Sequence, residues 1–170
     1  SNLFQGKPLR IAGNLPYNIS TPLLFHLLGQ SSIIKDMHFM LQKEVVDRLA
    51  AHPNTKAYGK LSVVTQAQCE VEALFDIPPG AFNPAPKVNS AFVRLIPREQ
   101  PLLAAEQWPA FEKTVTAAFA HRRKTLRNNL KKLLYPEQAD PEQAEQEIDL
   151  SRRAESLTID EFITLSRLLA

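Results

Sequence analysis

Cysteine is nearly missing from this sequence, since Cys69 is the only one among 170 residues. A disulfide within the chain is therefore excluded, and a lone cysteine in a half-apolar stretch is typical of a reduced, buried thiol. Long apolar runs are missing too: no segment approaches the roughly 20 residues needed to cross a bilayer. Residues 1–20 also lack the regions of a secretion signal. We therefore expect a cytoplasmic protein that does not associate with membranes.

Metal-binding and hydrolytic patterns are missing as well. The histidines, His26, His38, His52 and His121, show no metal-ligand spacing, and no paired carboxylates or Ser-His-Asp arrangement stands out. We expect neither a metal site nor hydrolytic chemistry. The five glycines are isolated, and no Gly-x-Gly precedes a predicted helix, so the sequence shows no nucleotide-binding glycine loop.

Charge is present but unevenly placed, although the formal net charge is only +2. Residues 121–135 carry six basic side chains and no acid, whereas residues 136–150 carry six acidic side chains and no base. Local charge of one sign indicates a partner better than the total does. The basic segment is therefore the candidate for nucleic-acid binding.

The basic segment also begins a predicted helix, with Thr125 as its N-cap. Cations at a helix amino end oppose the macrodipole, so phosphate binding is a better explanation for them than helix stability. The alternatives are a solvated charged face or pairing with the acidic segment. Lys124, Arg127 and Lys131 are predicted to share one helical face. The predicted RNA-contacting residues here are Arg122, Arg123, Lys124, Arg127 and Lys131.

Two parts of the chain differ in pattern. In residues 1–97, strand-like and helical segments alternate, and the first four form the βαβα pattern of a parallel sheet. The predicted strands are 8–13, 33–41, 71–77 and 90–96, and the predicted helices are 21–28, 44–51 and 61–69. Residues 98–170 are helical in pattern, with capping boxes beginning at Asp140 and Thr158. The sequence therefore predicts an α/β part followed by a small all-α domain.

The tetrapeptide Asn14-Leu15-Pro16-Tyr17 directly follows the first predicted strand. Open α/β sheets place their ligand crevices at the carboxyl ends of parallel strands, so this corner is a candidate site. Taken alone, the same four residues also fit an ordinary turn at the end of a strand.

Four blocks of sequence resemble one known family. The first extends the corner as Asn-Leu-Pro-Tyr-Asn-Ile-Ser-Thr-Pro from Asn14 to Pro22. The others are Met-Leu-Gln-Lys-Glu at 40–44, Lys-Ala-Tyr-Gly-Lys-Leu-Ser-Val at 56–63 and Phe-Asn-Pro-Ala-Pro-Lys-Val-Asn-Ser at 82–90. On these residues the whole chain resembles the ribosomal RNA adenine dimethyltransferase family. The macrolide-resistance methylases of large-subunit RNA share the first and last blocks, whereas the middle two look like the small-subunit enzymes.

The resemblance implies an activity and a fold. The activity is dimethylation of adenine N6 on adjacent adenosines of small-subunit ribosomal RNA during ribosome biogenesis, with S-adenosylmethionine as cofactor. The fold is the second half of a Rossmann-like class I methyltransferase sheet in residues 1–97, followed by a helical RNA-binding domain in residues 98–170. By comparison with the family, the chain starts just before the fourth strand, and we expect such a fragment to be inactive alone.

An adenine amino group is a poor nucleophile because its lone pair is delocalised into the ring. Two acceptors aimed at its hydrogens favour the form that attacks, and we predict the Asn14 side-chain oxygen and the Leu15 carbonyl oxygen in that role, held by Pro16. The resemblance implies that Asn14 also borders the methionine part of the cofactor. It further implies that Tyr17 and Phe82 clamp an extruded adenine, although Phe82 also suits a core beneath the proline-rich loop.

Several expectations stay open at this point. Lys87 either contacts RNA or caps a strand. The strand at 8–13 should have one bare edge, so the fragment is expected to dimerise or aggregate through it. A catalytically silent RNA-binding or ribosome-assembly module also fits the basic segment and the missing glycine loop. A DNA or protein-glutamine methylase fits less well, because Leu15 departs from the Asn-Pro-Pro-Tyr corner of those enzymes.

Overall fold

A computed structural model of the chain describes residues 6–16, 18–85, 87–134 and 141–170. The described residues form two compact units. One contains residues up to Ala50 together with Gln68–Gln100, and the other contains Ala51–Ala67 together with residues from Pro101 to Ala170.

The first unit is built on a four-stranded sheet in the order β1-β2-β4-β3. Its strands are β1 (Leu9–Asn14), β2 (Ile34–Gln42), β3 (Cys69–Ile77) and β4 (Ser90–Pro97), and its helices are α1 (Ser20–Leu28) and α2 (Lys43–Leu49). β1 and β2 are parallel, while β4 runs antiparallel to both β2 and β3. The predicted α/β fold and its parallel first pair are confirmed, with each strand within two residues of its predicted bounds.

β2 and β4 are the two central strands of this sheet, and each buries alternate apolar residues. Met37, Phe39 and Leu41 are buried on β2, and Val93 and Leu95 are buried on β4. Because side chains alternate between the faces of a strand, these residues share one face, which is the apolar core of the unit. Helix α2 packs against β2, β3 and β4.

β1 lies at the edge of the sheet and, among the described residues, pairs with β2 alone. Leu9 and Ile11 are half-buried, and the rest of the strand is exposed. Arg10 extends across to β2, where its Nε lies 3.1 Å from both carboxylate oxygens of Asp36. That hydrogen bond lowers the pKa of Asp36. The outer backbone edge of β1 is therefore unpaired within the described part of the chain.

The second unit is helical. Its helices are α3 (Lys60–Gln68), α4 (Trp108–Ala118), α5 (Leu126–Asn129), α6 (Lys131–Leu134), α7 (Pro141–Glu147) and α8 (Ile159–Leu168). The predicted capping box at Thr158 is confirmed. The Thr158 hydroxyl accepts from the Glu161 N–H at 3.2 Å, and the Glu161 carboxylate accepts from the Thr158 N–H at 3.1 Å. The box predicted at Asp140 begins outside the described residues. No helix in the described ranges is long and apolar enough to span a membrane.

Residues 51–67 pack with the helical unit, although the sequence placed them in the first domain. Tyr58 accounts for this arrangement: the residue is fully buried, and its hydroxyl donates to the Leu157 carbonyl oxygen at 2.6 Å. Leu61, Val63 and Val64 are buried after it. The division of the chain at residue 97 into catalytic and RNA-binding domains stays a prediction.

Candidate active site

A cavity of about 560 Å³ lies where β1 and β2 end. The register pairs Asn14 with Met40 and Gln42 with Ser90, so the ends of β1 and β2 and the start of β4 meet at one edge of the sheet. The cavity is lined by Asn14, Leu15, Pro16, Asn18, Met40, Leu41, Gln42, Phe82, Pro84 and Ser90. This is the edge at which open α/β sheets bind their ligands.

The Asn14-Leu15-Pro16 corner is held by its backbone, and two of its oxygens have no partner in the described part of the chain. The Leu15 N–H donates to the Met40 carbonyl oxygen at 3.1 Å, and the Ile19 N–H donates to the Pro16 carbonyl oxygen at 3.4 Å. Asn14 is exposed. Neither its side-chain oxygen nor the Leu15 carbonyl oxygen accepts a hydrogen bond from the residues that the structure describes. Both residues line the cavity, so each brings an oxygen without a described partner to its wall.

Phe82 enters the cavity wall from the proline-rich loop between β3 and β4. The loop turns through hydrogen bonds from Ala81 N–H to Pro78 and from Phe82 N–H to Pro79, at 3.0 and 3.2 Å. At its far end the Asn89 carbonyl oxygen accepts from the backbone of α2 at 2.9 Å. Phe82 is half-buried and lines the cavity, so one part of its side chain remains accessible. The structure brings Asn14, Leu15, Pro16 and Phe82 together.

Of the two remaining predicted site residues of the first unit, the structure describes one. Tyr17 lies outside the described residues. Lys87 is exposed on the proline-rich loop and does not line the cavity.

Sequence reasoning gave no role to Met40, Gln42, Asn18 and Ser90, which also line the cavity. For two of them, the position at the end of a predicted strand could have indicated a place at the site. Met40 and Gln42 end the strand predicted to run parallel to β1, and such strand ends share one edge of a sheet.

Lys43, which directly follows Gln42, has two acidic neighbours. Its ammonium group donates to Asp47 at 3.2 Å and lies 3.5 Å from a carboxylate oxygen of Asp76. The hydrogen bond from Lys43 to Asp47 raises the pKa of the lysine.

The basic segment belongs to the second unit, and its cations differ in their surroundings. Arg122 lies 2.9 Å from a carboxylate oxygen of Glu155, and Arg127 lies 2.8 Å from one of Glu145. Arg123, Lys124 and Lys131 are exposed and form no ion pair within the described ranges. Pairing with the acidic segment therefore occurs at Arg127 through Glu145.

The predicted N-cap is confirmed, because the Thr125 hydroxyl accepts from the Asn128 N–H at 3.4 Å. The predicted common helical face of Lys124, Arg127 and Lys131 is wrong. Lys124 precedes the cap, and the helix is interrupted at Leu130, where α5 ends and α6 follows. The cations thus lie on a turn and two short helices.

Cys69 is free and fully buried, as the sequence predicted. Burial raises the pKa of its thiol to about 12. A thiol with so high a pKa carries almost no thiolate at neutral pH, so Cys69 is not a candidate nucleophile. Among the described residues, no group of three or more His, Cys, Asp or Glu side chains is arranged to hold a metal ion.

Comparison with known proteins gives one consistent family. The family model described as ribosomal RNA adenine dimethylase matches residues 2–170. A protein of Saccharophagus degradans named ribosomal RNA small subunit methyltransferase A is 60% identical over 164 residues, which cover 96% of this chain and 59% of the relative. Proteins of the same name from Xanthomonas euvesicatoria and Acinetobacter baylyi are 52% and 55% identical, and the match covers 61% and 58% of their lengths. The chain thus spans about three fifths of these relatives.

Solved structures with the same fold include a dimethyladenosine transferase and a 23S rRNA methyltransferase. A dimethyladenosine transferase from Plasmodium falciparum superimposes with a TM-score of 0.79 at 25% identity, over 92% of this chain and 64% of that one. The 23S rRNA methyltransferase ErmE superimposes with a TM-score of 0.69 at 24% identity, over 96% of this chain and 66% of that one. At that identity the second likeness supports the fold alone.

Proposed function

Because the chain belongs to the ribosomal RNA adenine dimethylase family, we propose that it carries the target-base pocket of an enzyme that dimethylates adenine N6 in small-subunit ribosomal RNA. One observation carries the proposal: Asn14 and Leu15, whose side-chain and carbonyl oxygens accept no hydrogen bond from the described residues, line a cavity at the carboxyl edge of the sheet. The small-subunit substrate is favoured because the curated relatives carry that substrate in their names. A cytoplasmic location goes with such a substrate.

The two acceptors suit the chemistry of an exocyclic amine. When the adenine amino group donates its two hydrogens to the Asn14 side-chain oxygen and the Leu15 carbonyl oxygen, its nitrogen becomes tetrahedral and its lone pair leaves the ring. A bound sulfonium would then supply the methyl group: the new nitrogen–carbon bond would form as the carbon–sulfur bond breaks and the thioether leaves, and the methylated nitrogen would lose one proton to water. The Leu15 N–H bond to Met40 holds the backbone on one side of Leu15, and the Leu15 carbonyl lies in the peptide plane shared with the rigid ring of Pro16. No strong general base is needed.

The base must leave its stack to reach this corner, and the cavity has room for it. Its volume lies within the range of about 300–1,000 Å³ that is usual for ligand sites. Phe82 offers an aromatic face, and base–aromatic stacking is worth about 1–3 kcal/mol. In this proposal Phe82 lies against the extruded adenine. Tyr17, outside the described residues, is proposed to lie on the other side.

The reactive end of S-adenosylmethionine is proposed to enter the same cavity. Asn14 is exposed, lines this cavity and has no side-chain partner among the described residues, and we assign it to the boundary between the methionine part of the cofactor and the base. The cofactor, when bound, supplies the methyl sulfonium. The sequence contains no Gly-x-Gly, so Asn14 is the one residue of this chain to which we assign cofactor contact.

RNA affinity is proposed to come from exposed cations. Arg123, Lys124 and Lys131 in the second unit are exposed without ion pairs among the described residues, and Lys87 is exposed in the first. Phosphate contacts by such side chains bring affinity without sequence specificity. Arg127 forms an ion pair with Glu145 and is therefore expected to contribute less to RNA affinity.

We also propose that the free edge of β1 takes a further strand. The edge has unpaired backbone groups within the described residues, and such edges promote pairing between chains. The fragment alone is therefore proposed to dimerise or aggregate through β1.

Labelled methyl transfer tests the proposed activity. The full-length protein is incubated with radiolabelled S-adenosylmethionine and with small or large ribosomal subunits that lack the modification. Label in the small-subunit RNA, recovered as N6,N6-dimethyladenosine, is the expected result. Label confined to large-subunit RNA would instead favour a methylase of the macrolide-resistance type. RNA binding without any transfer, and without a cofactor-dependent thermal shift, would favour a silent RNA-binding module.

A further inference from the structure

One side chain of the second unit holds a loop, residues 52–60, in a fixed position. The Arg122 guanidinium donates to the carbonyl oxygens of Thr55 and Tyr58 at 3.0 and 3.1 Å, and it lies 2.9 Å from a carboxylate oxygen of Glu155. The side chain of Arg122 is 43% exposed, yet its charge is paired and its N–H groups point at protein oxygens. Arg122 is therefore poorly placed to bind a phosphate at the same time.

The same loop, called here the anchored loop, has further attachments. The Asn54 N–H donates to the Glu155 carbonyl oxygen at 2.7 Å, and the Tyr58 hydroxyl donates to the Leu157 carbonyl oxygen at 2.6 Å. Tyr58 is fully buried, with its ring centre 6.1 Å from that of Phe119. The anchored loop is thus tied to the helical unit at several points along its length.

Arg122 joins the anchored loop to the turn that it begins, and both segments carry cations. Lys56 lies between the two residues whose carbonyl groups Arg122 holds, and Lys60 follows at the end of the loop. Arg123 and Lys124 directly follow Arg122. All four side chains are exposed and form no ion pair within the described part of the chain. Neither segment contains an acidic residue, so these four cations have no acidic neighbour in their own segments.

We propose that the anchored loop is a second RNA-binding segment, in which Lys56 and Lys60 contact phosphates beside Arg123 and Lys124, while Arg122 is a positioning residue. The inference rests on the proposed function for the identity of the polyanion. Spaced cations from two chain segments match the repeated charge of a nucleic-acid backbone. Because the loop is already fixed, its backbone loses little conformational entropy when the lysine side chains bind.

Salt dependence of RNA binding tests the role of the loop. Fluorescence anisotropy with a labelled short RNA hairpin is measured for the full-length protein over a potassium chloride series. Each phosphate contact contributes roughly 0.7 to 0.9 to the slope of log affinity against log salt. We expect Lys56→Gln and Arg123→Gln each to lower the slope by that amount. Lys113→Gln, which removes an exposed charge from α4, is the matched control and should leave the slope unchanged. A Lys56→Gln slope equal to that of the control would overturn the proposal.

A double-mutant comparison tests the positioning role of Arg122. If Arg122 acts by holding the loop, Lys56→Gln should lower the slope in the parent and have little further effect in an Arg122→Gln background. Additive losses would show that Lys56 does not depend on Arg122 for its position, and would overturn that role. Lys56→Gln and Arg123→Gln are expected to be additive, because both contact phosphates directly.

Methyl transfer measured on the same preparations separates this inference from the proposed function. A parent protein that methylates small subunits, with Lys56→Gln behaving as the control, would contradict the inference alone. The expected slopes without any methyl transfer by the parent would support the loop as an RNA-binding segment and contradict the proposed enzyme.

Discussion

Replacing Asn14 by alanine removes one of the two oxygens assigned to the adenine amino group. It removes no other side-chain interaction seen among the described residues. The side chain is exposed and has no partner among the described residues, and the backbone pairing of Asn14 with Met40 does not depend on it. We therefore expect the free energy of unfolding to change by less than about 0.5 kcal/mol. RNA affinity should stay nearly intact, because phosphate contacts supply most of it.

The expected loss lies in turnover. Removing one preorganised hydrogen-bonding group from a reacting centre costs about 2.7–4 kcal/mol, which corresponds to a fall of roughly 10²- to 10³-fold in kcat. The assay is single-turnover methyl transfer by the full-length protein on unmodified small subunits, with RNA affinity measured in parallel. Asn14→Asp is the matched variant because it keeps an oxygen acceptor at similar size, and its turnover should exceed that of Asn14→Ala. Parent-level turnover in Asn14→Ala would refute the assigned role, and equal losses in both variants would show that the acceptor is not what matters.

Three further predictions concern the cavity wall, the helical unit and the sheet edge. Phe82→Ala should lower kcat/KM about tenfold to a hundredfold through lost stacking, whereas Phe82→Tyr should keep most of it; equal values for both in steady-state methylation would remove the stacking role. Arg152 donates to the Glu161 carboxylate and lowers its pKa, so this contribution to stability is present above the ordinary glutamate pKa and is lost as the pH falls through the lowered one. Glu161→Gln should therefore flatten the acid side of the stability curve in denaturant titrations, and an unchanged curve would count against the coupling. Residues 1–170 alone should dimerise or aggregate through β1, and a clean monomer by light scattering at high concentration would contradict this.

Local sequence signals predicted much of the fold. The apolar run before Asn14-Leu15-Pro16 predicted β1, since proline prevents simple continuation of a strand. Thr125 and the Thr158 capping box predicted where α5 and α8 begin, because a capping side chain satisfies backbone groups only a few residues away. The cavity followed from a topological rule applied to the end of β1. Each of these inferences needed only neighbouring residues or the direction of adjacent strands.

Features that depend on distant contacts were not predictable in this way. The hydrogen bond from Tyr58 to Leu157 joins residues 99 positions apart, and it places residues 51–67 in the helical unit. The bonds from Arg122 to the anchored loop span 64 and 67 positions. Sequence reasoning therefore grouped Arg122 with its basic neighbours, although its surroundings differ from theirs. The break at Leu130 was missed because the leucine spacing alone continues the helical pattern through it.

The central claim is that the Asn14 and Leu15 oxygens hold the amino group of an extruded adenine. The most direct measurement is the position of the target base in a structure of the full-length protein bound to an unmodified small ribosomal subunit. We predict that adenine N6 lies about 3 Å from both the Asn14 side-chain oxygen and the Leu15 carbonyl oxygen, with Phe82 against the ring. A target adenine that remains stacked in its RNA helix, or that enters the cavity with its amino group directed away from both oxygens, would contradict the claim.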